Sequence, residues 1–150
     1  MKTILLFFLA LLTITSGFAI DITANKAFSA KRTMLPIKID GDLNDVAWDQ
    51  AEVLTDFIQN QPNPGMPASQ PTEVRMLYDD EALYISAYMH DVSADSVLHQ
   101  LTQRDDLGNT DFFGFYISCF QDGINAFYFL ATPDGVQYDA QLSAFVEDSN

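Results

Sequence analysis

Two neighbouring runs of alternating apolar and polar side chains constrain the fold of this chain more than any other feature. In TEVRMLY, residues 72–78, Val74, Met76 and Tyr78 point to one face of an extended chain, and the residues between them point to the other. LYISAYMHD, residues 83–91, alternates in the same way, and the four residues DDEA between the runs suit a turn. A period of two over such lengths is typical of β-strands, so the two runs predict an antiparallel hairpin.

Three more apolar segments follow at short intervals, separated by turn-forming residues. DFFGFYISCF, residues 111–120, is so apolar that we expect both of its faces to be largely covered. Its Cys119 is the only cysteine, so it cannot form an internal disulfide and should be buried. QDG and PDG then set off INAFYFLAT and VQYDAQLSAFV. Several short strands at this spacing predict an all-β fold, an antiparallel β-sandwich.

The segment before the hairpin predicts a short strand and then one or two short helical turns. LPIKI, residues 35–39, reads as strand, and Asp42 is a suitable N-cap for a turn in the following DGDLNDVAWDQA. Trp48, the only tryptophan, follows Leu43 and Ala47 at helical spacing, so it faces the same way as they do. We therefore expect its ring to fill the core, with the surrounding aspartates at the turn and at the helix start.

The N-terminus has the pattern of a secretory signal peptide, residues 1–19. Lys2 precedes an almost unbroken apolar run, residues 4–14, that is too short to span a bilayer with ease. Small residues then lead to Ala19, where we expect cleavage. Residues 20–35 form an N-terminal leader in this interpretation. The sequence therefore predicts an exported chain, which would be periplasmic, associated with the outer membrane or extracellular.

Charge is distributed very unevenly along the chain. Residues 20–38 hold four basic residues and one acid, a net charge of +3, whereas residues 39–150 hold twenty acids and two basic residues, a net charge of −18. Such a field repels phosphate backbones, which excludes nucleic acid as a partner. It suits a neutral ligand such as a sugar, or a hard cation such as calcium, although an acidic surface also serves solubility alone.

The segment RDDLGNTD is the densest polar cluster and the candidate calcium site. Closely spaced carboxylate and amide oxygens, with a glycine that permits a sharp turn, suit a calcium ion. The candidate ligands are Asp105, Asp106, Asn109 and Asp111. The alternative is structural, with an arginine–aspartate pair and Asx turns holding a loop.

Four aromatic residues are candidates for stacking against a sugar. Tyr84 and Tyr88 share the face of the second hairpin strand that we expect to point outward, and Phe112 and Tyr116 lie in the apolar segment that follows. The apolar face of a sugar packs on such rings while polar neighbours bind its hydroxyl groups. The alternative is that these rings belong to the inner face of a sandwich.

Nothing in the residue pattern indicates catalysis. The chain shows no nucleophile elbow, no cysteine–histidine arrangement and no zinc motif. His90 and His99, the only histidines, have no neighbours in sequence that would suggest a metal site. Glycoside hydrolysis needs two carboxylates facing one bond, and no pair is marked out for that role. We therefore predict a chain that is not itself an enzyme.

Three stretches of the sequence together resemble the family 9 carbohydrate-binding module. They are IDGDLNDVAW, TEVRMLYDDEALYISAYMHD and RDDLGNTDFFGFYIS, and the resemblance covers residues 36–150. More narrowly, the chain looks like the module at the start of large exported proteins of Bacteroidota-type bacteria. The resemblance implies a β-sandwich, truncated here at its C-terminal end, that binds sugar between aromatic side chains and in some members binds calcium. Because Trp48 takes a position that looks structural in the family, tyrosine or phenylalanine would have to supply the stacking surface.

The resemblance implies a non-catalytic carbohydrate-binding domain of an exported bacterial protein, associated with polysaccharide breakdown or uptake. A C-terminal membrane β-barrel would follow it in the full-length protein. One alternative is a structural periplasmic or surface domain of an outer-membrane β-barrel protein, without a sugar site. A second alternative is part of a glycoside hydrolase whose catalytic domain lies outside this sequence.

Overall fold

The computed structural model describes residues 27–143 and 147–149, and within them the chain is built from strands. Two short 3-10 turns, Val46–Gln50 and Ala94–Ser96, are its helical elements. This confirms the prediction of an all-β fold. The strands are β1 Lys31–Arg32, β2 Thr72–Tyr78, β3 Leu83–Met89, β4 Phe113–Ile117, β5 Ala126–Ala131, β6 Gln137–Leu142 and β7 Glu147–Ser149. None of the helical elements in these ranges has the length and apolar character needed to cross a membrane.

The first sheet contains the predicted hairpin. Its strand order is β1-β2-β3, and β2 pairs antiparallel with β3 from Thr72 opposite Met89 to Tyr78 opposite Leu83. The carboxylate of Asp79 holds the connecting turn, because its Oδ1 accepts hydrogen bonds from the two backbone N–H groups that follow Asp80, each at 2.8 Å. The alternation read from the sequence therefore gives the correct strands, pairing and turn.

The second sheet has the strand order β4-β5-β6-β7, with each neighbouring pair antiparallel. The predicted PDG turn joins β5 to β6, where Gly135 donates its backbone N–H to the carbonyl of Thr132 at 2.9 Å. Face-to-face packing of the two sheets, which a sandwich requires, stays a prediction.

The best-buried apolar cluster lies under the first sheet. Trp48 is 6% exposed and packs with Ala47 and Leu77, which are 1% and 0% exposed. The prediction that Trp48 fills a core is therefore confirmed. The side chains packed around this cluster are partly buried: Ile37, Leu43, Ala51 and Tyr84.

The short elements before the hairpin differ from the prediction. Residues 35–39 form no strand; pairing with β2 instead ends at Thr33, whose Oγ1 accepts a hydrogen bond from the N–H of Leu35 and turns the chain. Asp42 does not cap the helical turn, whose N-cap residue is Asp45; the N–H of Asp42 instead donates to the carboxylate of Asp40 in an Asx turn. The helical turn starts only at Val46.

The expectation that both faces of β4 and its flanks are covered is wrong within the described residues. Tyr116 is 63% exposed and Phe120 is 60% exposed, and the thiol of Cys119 is exposed rather than buried. The apolar composition of this segment correctly predicted a strand, but it did not predict how much of that strand is exposed. The predicted signal peptide, residues 1–19, lies outside the described residues.

Candidate functional site

A cleft of about 510 Å³ lies between the 3-10 turn Val46–Gln50 and the hairpin β2–β3. Its volume falls in the range of ordinary small-ligand sites, about 300–1,000 Å³. We call it the Trp48 cleft, and it is lined by Leu43, Trp48, Asp49, Ala51, Val53, Glu73, Arg75, Tyr88 and His90. These residues come from the turn and the chain on either side of it, from β2, and from the C-terminal end of β3 with the residue after it.

The pleat of the hairpin explains why polar and aromatic side chains meet in this cleft. Alternate residues of β2 share a face, so Glu73 and Arg75 lie on the same side as the buried Leu77. The register sets Glu73 opposite Tyr88 on β3, so the tyrosine lies directly beside the carboxylate. The 3-10 turn covers the Leu77 end of this face, while the Glu73 end opens into the cleft.

A charged network occupies the hairpin side of the cleft. Arg75 donates a hydrogen bond to Glu73 Oε2 at 2.7 Å, and His90 Nε2 lies 3.2 Å from Glu73 Oε1. The hydrogen bond from His90, followed by the one from Arg75, lowers the pKa of Glu73 below its usual value of 4.5. Glu73 is therefore a carboxylate at neutral pH, with both of its oxygens engaged.

Tyr88 supplies the accessible aromatic surface of the cleft. Its side chain is 54% exposed, whereas Trp48, which also lines the cleft, is 6% exposed. The ring of Tyr88 meets the ring of His90 in an edge contact, with centroids 4.7 Å apart and planes at 74°. The arrangement can therefore stack a flat apolar face on Tyr88 and offer hydrogen-bond donors and acceptors beside it.

The sequence identified Tyr88 as a site residue but did not identify its polar neighbours. In the sequence, Glu73 and Arg75 are only the residues on the other face of the strand from Val74, and His90 has no neighbour that suggests a metal site. The available signal was the alternation itself, because it places Glu73, Arg75 and the apolar Leu77 on one face of β2. A face that mixes a charged pair with a large apolar residue is only partly covered.

Tyr84 shares the strand face of Tyr88, as predicted, but that face does not point outward at Tyr84. The ring of Tyr84 packs against the Trp48 core cluster, and its hydroxyl donates to Asp79 Oδ2 at 2.9 Å. This hydrogen bond to a carboxylate is the main reason why the pKa of Tyr84 is raised above 10.0. Tyr84 therefore has a structural role in the core and in the hairpin turn.

Phe112 and Tyr116 lie at the second sheet and not in the Trp48 cleft. Phe112 immediately precedes β4 and is 52% exposed. Tyr116 stacks on Tyr128 of β5, with ring centroids 4.3 Å apart and planes at 15°. Gly114 makes room for this arrangement, since a Cβ there would lie 2.8 Å from the hydroxyl oxygen of Tyr128. The four predicted stacking residues are thus divided between two sheets.

The opposite face of the second sheet carries a smaller groove of about 350 Å³. Arg104 forms an ion pair with Asp139 at its rim and donates to Gln137 Oε1 at 2.9 Å. The rings of Phe115 and Phe129 stack in this groove, with centroids 5.6 Å apart. The lining of this groove has fewer charged side chains than that of the Trp48 cleft, and Arg104 is already bonded to both Asp139 and Gln137.

In the predicted calcium segment, the carboxylates hold the loop to its surroundings. Asp105 Oδ1 lies 3.4 Å from the N–H of Asp139 on β6, and Asp106 Oδ1 accepts from the N–H of Gly108 at 3.1 Å. Asp111 Oδ2 accepts from the N–H of Leu98 at 2.9 Å. These contacts agree with the structural alternative of Asx turns and loop-holding carboxylates.

Asn109, the fourth predicted calcium ligand, is exposed, and its N–H donates to Gln100 Oε1 at 2.9 Å. Among the residues that the structure describes, no three or more histidine, cysteine, aspartate or glutamate side chains are grouped so that they could hold a metal ion. Such a grouping does not count amide or backbone oxygens, which calcium also accepts. Calcium binding at this loop therefore stays a prediction.

Comparisons of the chain with protein-family models, with curated proteins and with solved structures found no match.

Proposed function

We propose that the chain is a non-catalytic carbohydrate-binding domain of an exported bacterial protein, and that the Trp48 cleft is its sugar site. One observation carries the proposal. The half-exposed ring of Tyr88 lies beside the hydrogen-bonded group of Glu73, Arg75 and His90 in a cleft of about 510 Å³. An aromatic ring next to fixed donors and acceptors is what a sugar requires, because its ring faces are apolar and its edges carry hydroxyl groups.

Binding would begin with stacking on Tyr88, whose two rotatable side-chain bonds cost little entropy to fix. The edge contact with His90 already restrains the ring. Arg75 has donors beyond the one that it gives to Glu73, and Asp49 supplies acceptor oxygens at the other side of the cleft. Sugar hydroxyls can therefore be bonded from both sides while the ring face is covered.

The state of Glu73 favours binding over hydrolysis. A glycosidase needs a carboxylic acid whose pKa is raised, so that it can protonate the leaving oxygen. The pKa of Glu73 is lowered by His90 and Arg75, so it is a poor proton donor near neutral pH.

The cellular setting belongs to the same proposal. The predicted signal peptide, the acidic charge of residues 39–150 and the resemblance to the family 9 module support an exported domain that meets a glycan outside the cytoplasm. A role in polysaccharide breakdown or uptake, and a membrane β-barrel elsewhere in the full-length protein, follow from that resemblance.

A second candidate is a structural domain without a sugar site, and the exposed apolar residues around the second sheet favour it. Phe120, Ile124 and Phe129 are 60%, 54% and 39% exposed. Exposed large apolar side chains on and beside one sheet suit contact with another domain of the same protein. In that case the Trp48 cleft would hold only water.

Calorimetry with a panel of neutral plant and algal oligosaccharides tests the proposal. Tyr88→Ala should weaken binding about tenfold or more, because it removes both the stacking and the buried area of one ring. Tyr78→Ala is the matched control, since Tyr78 is a 41% exposed tyrosine on the opposite face of the same hairpin. It should leave the affinity unchanged.

Salt provides an independent check, because a neutral sugar releases no counterions and its affinity should not change with ionic strength. The structural candidate predicts no heat with any glycan at millimolar concentration while the protein gives a cooperative melting curve. Equal losses in Tyr88→Ala and Tyr78→Ala would place the sugar site elsewhere.

A further inference from the structure

The Trp48 cleft contains a carboxylate that no described residue balances. Glu73 is paired with Arg75 and bonded to His90, so its charge is compensated within the network. Asp49 lies in the 3-10 turn on the other side of the cleft and is exposed, and its carboxylate takes part in none of the side-chain hydrogen bonds or ion pairs found among the described residues. An unpaired carboxylate inside a ligand-sized cleft is available to a ligand.

The basic side chains of the cleft do not reach Asp49. Both lie beside Glu73, with Arg75 at 2.7 Å and His90 at 3.2 Å from its carboxylate oxygens. Asp49, the other carboxylate in the lining, has no basic partner among the described residues. The net charge of −18 over residues 39–150 adds to the negative potential at this place.

The aromatic surface of the cleft also favours a cation. The face of a phenol ring carries partial negative charge, so it attracts a cation as well as an apolar group. Tyr88 is 54% exposed, and its ring lines the same cleft as Asp49. A ligand group that is both cationic and attached to a sugar ring would use both features at once.

We propose that the Trp48 cleft prefers a sugar that carries a protonated amine, a hexosamine, over a neutral sugar of the same ring form. This inference rests on the proposed function, because it assumes that the cleft binds sugar at all. The ammonium group pairs with Asp49 near the face of Tyr88, while the sugar ring stacks on Tyr88 and its hydroxyls meet Arg75. The positive charge of Arg75 does not repel the amine enough to cancel the preference, because Arg75 is paired with Glu73 at 2.7 Å.

Three β-1,4-linked tetramers test this preference by calorimetry: the glucosamine tetramer, its fully N-acetylated form and the glucose tetramer. They share linkage and length and differ in the charge and size of one substituent per ring. At about pH 6 most of the amine is protonated, since an aliphatic amine, even one beside electron-withdrawing groups, titrates above that pH. An exposed ion pair and a cation–ring contact together predict that the glucosamine tetramer binds about five- to tenfold more tightly than the glucose tetramer.

Two matched variants separate Asp49 from the general acidity of the chain. Asp49→Asn keeps the shape of the side chain and should abolish the preference, so that the affinities for the glucosamine and glucose tetramers come within about twofold of each other. Asp95→Asn removes the same charge at the exposed 3-10 turn Ala94–Ser96, outside the cleft, and should keep the preference. Equal losses in the two variants would show that the diffuse field of the protein, and not Asp49, attracts the amine.

The outcomes distinguish this inference from the proposed function. If the wild-type protein binds the glucose and glucosamine tetramers equally, the preference is refuted and sugar binding stands. If no tetramer binds while the protein is folded, the proposed function fails, and this inference fails with it. Ethanolamine serves as an amine without a sugar ring, and binding of ethanolamine as tightly as the glucosamine tetramer would refute the role of the sugar ring.

Discussion

The indole of Trp48 is buried against Ala47 and Leu77, yet its Nε1 has no hydrogen-bond partner within the described part of the chain. The hydroxyl of Ser86 lies on the hairpin face that the 3-10 turn around Trp48 covers. It too is buried without a hydrogen-bond partner in the described part of the chain. A buried donor without a partner loses its hydrogen bonds to water and gains none in return. The ring therefore stabilises the fold through its apolar area, and its N–H detracts from that gain.

Two substitutions at Trp48 should differ sharply in stability. Trp48→Ala removes a large buried ring and should lower the free energy of unfolding by about 3–5 kcal/mol. Trp48→Phe keeps most of the apolar area and removes the unpartnered donor, so we expect it to stay within about 1 kcal/mol of the wild type. Chemical denaturation measures both, and a small loss in Trp48→Ala would contradict the core position.

At the scale of elements, the hairpin shows what the sequence could predict. The alternation in TEVRMLY and LYISAYM gives the strands, the pairing and the turn, because the backbone fixes a period of two whatever surrounds it. It could not give the covered face, since both faces carry apolar side chains, Val74 on one and Leu77 on the other. The position of the Trp48 turn decides which face is covered. The prediction that Tyr84 points outward was therefore wrong.

The candidate site, like the hairpin, could be predicted from the sequence only in part. Tyr88 could be found as an aromatic residue on a strand, but its partners depend on the register between the strands and on the turn that covers part of the face. Glu73 lies beside Tyr88 because the four-residue turn sets that register. Asp49 reaches the cleft because the 3-10 turn begins at Val46 and not at a helix capped by Asp42. Single-sequence patterns do not contain these contacts.

The hairpin turn should respond to acid through Asp79. Hydrogen bonds from two backbone N–H groups and from Tyr84 lower the pKa of Asp79 below 3.8. A carboxylate with a lowered pKa stabilises the fold above its ordinary pKa, and this contribution is lost as the pH falls through the lowered value. The melting temperature of Asp79→Ala should therefore lie below that of the wild type near pH 7, and the difference should shrink below about pH 3.8.

Glu81→Ala is the control for the turn. It removes a carboxylate two residues away whose side chain accepts no hydrogen bond found among the described residues, and the backbone contacts of the turn remain. Its melting temperature should stay close to that of the wild type across the same pH range. A difference for Asp79→Ala that persists unchanged at low pH would contradict a role for the ionised carboxylate.

At the scale of the whole molecule, the loop that connects the first sheet to the second in sequence is long, and side chains make most of its contacts. Residues 97–112 form no helix or strand, and the loop is attached to β6 by Arg104 and by the backbone of Asp105. The formal net charge of the chain is −14 at pH 7, so three aspartates in this one loop repel one another and their surroundings. A cation here would relieve that repulsion.

Calcium should therefore raise the melting temperature, because a ligand that binds only the folded state stabilises it by mass action. The bonds that hold the loop use Oδ1 of Asp106 and Oδ2 of Asp111 and leave the second oxygen of each for an ion. The effect should shrink in the double variant Asp105→Asn, Asp106→Asn. Melting curves that coincide in calcium and in chelator would remove calcium from the interpretation.

The Trp48 cleft and the core cluster beneath it are built entirely from residues that lie before Asp91 in sequence. Their contacts join the 3-10 turn to the hairpin, so closing them requires only the chain between Ile37 and His90. Because the mature part of an exported chain emerges on the far side of the membrane starting from its N-terminal end, this half can begin to assemble before the second sheet has followed it. The order in which the chain emerges therefore favours a ligand site that needs no residue of the second sheet.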